Sequence, residues 1–168
     1  MLAGLAGTLL ALGLAIVMSP QALLPEQDAA SSIVSALRWD VLPVLCLAAC
    51  IAMLARHRFF TPADIDGGGL SDGTQAAKVL QSLLQNTLEQ SVLALSVHAI
   101  WAAAMPWSWQ AAVPVAALLF FLGRVSFWRG YAHGAPARAL GFALTFYPTV
   151  FMLVLLAGRL VALGMGIG

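Results

Sequence analysis

Charged side chains are scarce in this chain: eight Lys and Arg and seven Asp and Glu among 168 residues, or 9%, with a net charge of +1. A soluble domain carries about 25% charged residues. So small a share cannot solvate a globular surface, keep a chain disordered or neutralise a nucleic-acid backbone, and those classes are excluded. Cysteine is as thin, with two residues, too few for a disulfide framework or a four-ligand zinc site. Cys46 and Cys50 stand one helical turn apart inside an apolar run and read as helix-packing residues. The period-two alternation of a membrane barrel is missing, and no internal repeat or metal-binding motif is evident.

Apolar residues take up the room, at 61% of the chain with a mean hydropathy of +0.92. Apolar runs cover 1–18, 41–55, 91–107, 109–123 and 139–158. A helix needs about 20 residues to cross a bilayer, so the second and fourth runs extend to 34–58 and 109–128. The expectation is an all-α integral membrane protein with five spans, because lipid accepts only helices or closed barrels. Segment 1–18 lacks the leading Lys or Arg of a signal peptide and reads as a retained helix, with Gly4, Gly7 and Gly13 available for close packing.

Orientation follows from the cations. Arg56, Arg58 and Lys78 flank the connection 61–75, while Arg124, Arg129 and Arg138 flank the last one; alternating spans put both on one side, against Arg38 and Arg159 on the other. The positive-inside rule then places the N-terminus in the cytoplasm and the C-terminus on the opposite side. Connection 61–75 carries three aspartates and a glycine run and reads as a flexible, solvated loop. With no strand before it and acidic neighbours around it, Gly67 to Gly69 do not read as a phosphate cradle.

Two segments carry polar residues that a bilayer does not favour. In 78–101, Gln81, Ser82, Gln85, Asn86, Glu89 and Ser96 fall on one helical stripe opposite Leu and Val. An intramembrane carboxylate needs a partner or a cavity, so Glu89 is a candidate for function or for holding helices together, with Arg124 or Arg138 as its partner. His98 lies about half a turn round from Glu89 and reads as a packing or interfacial residue. In 123–142, Arg124, Phe127 and Tyr131 share a face, and Arg138 follows Pro136 at the start of the last helix. A cation beside a helix N-terminus can hold a carboxylate or a thiolate. The same arginines also read as topology signals that reach lipid phosphates.

Asn86-Thr87-Leu88-Glu89 in one helix, Arg124 to Tyr131 in the next and Arg138 with Gly141-Phe142 after it resemble the MAPEG family, the membrane-associated proteins of eicosanoid and glutathione metabolism. The resemblance implies a four-helix membrane domain over 34–163, with 1–24 as an extra N-terminal helix. It also implies a homotrimer whose glutathione lies between neighbouring subunits near the cytoplasmic surface. By position, Asn86 and Glu89 would contact the tripeptide backbone, Tyr131 and Arg124 would frame it, Arg138 would stabilise the thiolate, and Arg56 would meet a carboxylate. Ser82, Gln90 and Phe127 stand where glutathione-using members carry an arginine, an aromatic and a tyrosine.

Three functions remain open on these residues. The first is a glutathione-dependent transferase or peroxidase acting on lipophilic substrates. The second is a non-catalytic module, an accessory subunit of a larger membrane complex or a lipid-binding protein, in which the polar residues serve assembly. The third is a haem or quinone carrier built on His57, His98 or His133.

Overall fold

The computed structural model describes residues 2–166 apart from 69, 71 and 132, and every regular element among the described residues is helical. Six α-helices follow in order: α1 (Leu2–Met18), α2 (Ala29–Trp39), α3 (Val41–Phe60), α4 (Gln75–Ala104), α5 (Ala112–Tyr131) and α6 (Ala135–Gly164). Short 3-10 turns at Gln21–Leu23, Pro62–Asp64 and Trp107–Trp109 lie between them.

Helix starts follow side-chain caps. Asp28 accepts from the Ser31 amide at 2.8 Å and starts α2, and Thr74 accepts from the Ala77 amide at 3.2 Å and starts α4. The junction of α2 and α3 has a different cause. Asp40 keeps helical dihedrals, φ −67° and ψ −8°, and its amide still bonds to Ala36 at 2.9 Å. Pro43, however, has no N–H to offer the Trp39 carbonyl and its ring crowds that turn, so the helix is interrupted there.

Three helical stretches are long and apolar enough to cross a membrane: Ala29–Phe60, Trp107–Tyr131 and Ala135–Gly164. The chain is an integral membrane protein. The expectation of five spans is supported only as far as these three stretches, since α1 has 17 residues and α4, though 30 residues long, carries its polar stripe through the middle. Leu10, Val17, Leu45, Leu122, Val154 and Leu160 remain exposed on the outside of the bundle, as lipid-facing side chains do.

Helices α5 and α6 form a tight antiparallel hairpin because glycine removes the side chains between them. A methyl group on Gly123 would sit 2.8 Å from Thr145 Cγ2 and 2.9 Å from the Gly141 carbonyl. One on Gly141 would overlap the backbone of Phe127. Helix α1 packs on this hairpin through Gly4, Thr8, Leu12 and Ala15, spaced by three or four residues. Gly4 meets Ala143, as close packing requires, whereas Gly7 and Gly13 face open space and correct that part of the expectation. Leu12, Val97, Trp101, Met105, Val113 and Met152 belong to the core at the end of the bundle where α4 finishes. Cys46 and Cys50 are both 1% exposed, and the Cys50 thiol donates to Thr87 Oγ1 at 3.4 Å, consistent with a packing role.

The two ends of the connection 61–74 are tied together by one aspartate. Asp64, 2% exposed, takes the Thr74 hydroxyl at 2.6 Å on Oδ2, the Thr74 amide at 2.7 Å on Oδ1, and pairs with His57 Nε2 at 2.8 Å. One carboxylate thus ties the end of α3 to the start of α4. Polarity alone cannot distinguish a solvated aspartate from one that ties two helix ends, and Asp64 departs from the solvated reading for that reason.

Candidate functional site

Of the six residues singled out in the sequence, three line one cleft. Asn86 of α4, Tyr131 of α5 and Arg138 of α6 border a cavity of about 360 Å³, walled on its apolar side by Phe127 and Phe142. The hairpin brings Tyr131 and Arg138 together: the guanidinium of Arg138 lies over the Tyr131 ring, 4.6 Å from its centroid. Gly130 lets α6 start so near, since a methyl group there would strike the Ala137 carbonyl.

Arg124 lies behind the cleft and is fully buried. Its Nη1 donates to Asn86 Oδ1 at 2.7 Å, its Nη2 donates to Thr145 Oγ1 at 2.6 Å, and its guanidinium carbon lies 4.5 Å from the Phe127 ring centroid. This contact decides how Asn86 is presented. With its oxygen occupied by Arg124, the Asn86 amide keeps its two N–H donors for the cleft. Arg124 thus positions Asn86 rather than lining the cavity itself.

Glu89 and Arg56 stand apart from this cluster within the protomer. Glu89 is exposed and accepts from Gln85 Nε2 at 2.8 Å; Arg124 and Arg138, expected as its partners, are engaged with Asn86 and Tyr131 instead. The reason is rotational, because Asn86 and Glu89 are three residues apart and only Asn86 turns toward α5. Gln81, Ser82 and Gln85 share the exposed face with Glu89. Arg56 borders a separate cavity of about 540 Å³ with Met53, His57, Phe60 and Leu80.

The departures from the family pattern also have places. Ser82 spends its hydroxyl on the Lys78 carbonyl at 3.0 Å and borders a third cavity, also about 540 Å³, that Arg58 and Lys78 line with Gln81. Gln90 is 7% exposed and faces the protomer interior, away from the cleft. Phe127 walls the cleft without a hydroxyl.

Two polar pairs were not anticipated. His98, 1% exposed, bonds through Nδ1 to Asp40 Oδ1 at 2.6 Å, joining α4 to the α2–α3 junction. An aspartate between two apolar runs was the available signal. The His57–Asp64–Thr74 cluster was signalled only by Thr74 standing at a cap position. His133 Nδ1 lies 3.2 Å from the Arg129 carbonyl. The three histidines therefore serve three separate contacts.

Asp64 lies outside the spanning segments and gives a pH prediction. The Thr74 hydroxyl, then the Thr74 amide and the neighbouring His57 hold its carboxyl below the usual carboxylate value. A lowered pKa in the folded state contributes stability above the unfolded pKa, about 3.9, and that stability is lost as pH falls through the lower folded value. Unfolding temperature should therefore drop more steeply below about pH 4 in the parent than in Asp64→Asn, measured in detergent across the acid range.

No curated protein and no solved structure matches the chain. The MAPEG family model matches residues 36–158, from within α2 to within α6, leaving α1 outside. Because that match spans most of the sequence and includes both polar segments, the chain belongs to the MAPEG family.

Proposed function

We propose that the protein is a glutathione-dependent transferase or peroxidase of lipophilic substrates, working as a homotrimer from the cleft of Asn86, Tyr131 and Arg138. The observation that carries this reading is the joining of these three side chains around one cavity, with Arg124 fixing Asn86 from behind. A volume of about 360 Å³ is within the range of small-molecule sites. In the transferase reaction, Arg138 stabilises the sulfur once the thiol proton has left to solvent. The sulfur's electron pair then forms a bond to an electrophilic carbon, and the leaving group departs with the electrons of the bond that breaks. Asn86 donates to the peptide backbone of the thiol. Its lipophilic partner enters sideways from the bilayer.

The exposed stripe of Gln81, Gln85 and Glu89 is suited to a subunit interface, since lipid would leave a carboxylate and two amides without adequate partners. Arg56 then serves the cleft of a neighbouring protomer, because within its own protomer it borders a different cavity. Lys78 and Arg58 supply positive charge beside Ser82 and take the role of the absent arginine toward a carboxylate. In this reading residues 34–163 form the four-helix domain and 1–24 the added helix. The cleft faces the cytoplasm, as does the N-terminus, and the C-terminus lies on the opposite side.

The test is spectroscopic. Glutathione titrated to millimolar concentration should show thiolate absorbance below the pKa of the free thiol, and Arg138→Leu should abolish that signal with the oligomer intact. A flat response from a well-folded parent overturns the reading and leaves the non-catalytic membrane module in its place.

A further inference from the structure

The end of the bundle remote from the cleft carries a second feature. A groove of about 380 Å³ opens between the end of α4, the turn after it and the last part of α6. Met105, Trp109, Leu155 and Gly158 line it, and Arg159 is its one charged wall among the described residues. Gly158 makes the notch: a methyl group placed there meets nothing within 4 Å.

Arg159 is held in a particular way. Its Nε donates to the carbonyl of Ala104 at 3.0 Å, the last residue of α4, whose C=O has no partner within the helix. That bond fixes the plane of the guanidinium and leaves the two terminal nitrogens for an outside acceptor. No carboxylate among the described residues forms an ion pair with it. A planar donor fork beside an apolar notch suits an amphiphile with an oxyanion head.

Depth argues that the amphiphile is a membrane lipid. Arg138 and Arg159 are 21 residues apart on α6, about 31 Å along the axis, which is the thickness of the hydrocarbon core. With Arg138 at one headgroup level, Arg159 stands at the other. Val154 and Leu155 then run from the guanidinium toward the bilayer centre, the direction in which an acyl chain descends. Val154 and Leu163, which border the groove, are exposed on the outside of the protomer.

We propose that this groove binds one anionic phospholipid of the leaflet opposite the cleft, with its phosphodiester on the terminal nitrogens of Arg159 and one acyl chain over Gly158. A zwitterionic choline lipid brings its own cation and matches the isolated positive charge less well.

Trp109 provides the readout. Protein in neutral detergent is titrated with phosphatidylglycerol or phosphatidylcholine brominated near the head of the acyl chains, and the quenching of Trp109 is taken as the difference between the parent and Trp109→Phe. Half-saturation should come at about fivefold less phosphatidylglycerol, the preference one arginine near the headgroups supplies. Arg159→Gln should erase the preference, and Arg159→Lys, which keeps the charge but loses the fork held by Ala104, should keep only part of it. Gly158→Leu, whose first side-chain carbon meets nothing within 4 Å and whose remaining atoms enter the notch, should reduce quenching by both lipids. Equal quenching by the two lipids in the parent, or a preference unchanged in Arg159→Gln, would overturn the proposal and leave ordinary boundary lipid.

Discussion

His98→Ala should destabilise the protein by several kcal/mol: about 1–3 kcal/mol for leaving the buried Asp40 carboxyl without its hydrogen-bond partner, and more for the cavity the imidazole leaves. Asp40 and His98 are both nearly inaccessible, and their 2.6 Å contact joins α4 to the point where Pro43 interrupts the α2–α3 stretch. Truncating the imidazole leaves Asp40 without this hydrogen bond in a low-dielectric interior. The double variant Asp40→Leu/His98→Leu removes both polar groups together and should recover much of the loss, because a buried pair contributes little net stability over apolar residues of similar volume. Unfolding temperatures of the parent, the single and the double variant in one detergent provide the check. A double variant no more stable than His98→Ala would show that the pair acts through the shape of the junction and not through its hydrogen bond.

Gly141→Leu should prevent α5 and α6 from closing. The first side-chain carbon would overlap the backbone of Phe127, and it would lie 2.7 Å from the Gly123 carbonyl. Overpacking usually costs about 1–3 kcal/mol when side chains can move aside. Backbone on both sides cannot, so the expected outcome is loss of monodisperse protein in size-exclusion chromatography. Gly158→Leu on the same helix is the control. Its added side chain starts in open space, and that variant should elute like the parent. If Gly141→Leu also elutes like the parent, the hairpin is not set by glycine contact.

These two variants mark where sequence reading succeeded and where it stopped. The helices were legible because apolar runs and positive flanks are one-dimensional signals. That Asn86, Tyr131 and Arg138 border one cavity is within reach of the sequence, because Tyr131 and Arg138 stand seven residues apart and Asn86 belongs to a recognisable motif. Asp40 escaped because an acid at the edge of an apolar run looks interfacial, and only the break at Pro43 turns it toward His98. Asp64 was read as solvated for a related reason: its three partners come from two helix ends that are adjacent only once the loop has closed. Span order puts arginines near Glu89, but the rotation of α4 gives that contact to Asn86. Family position groups Arg56 with Arg138, whereas within one protomer the two line different cavities.

That separation supplies the most direct test of a thiol site shared between subunits. Arg56→Leu and Arg138→Leu chains carrying different tags are co-expressed, and oligomers holding both are isolated through the two tags. Each homogeneous variant should give little or no glutathione thiolate absorbance. In a cyclic trimer containing both variants one junction of three joins an intact Arg56 to an intact Arg138, so the mixed oligomer should recover about one third of the parental signal. No recovery in mixed oligomers, from a parent that does show the thiolate, would contradict the shared site and confine it to a single protomer.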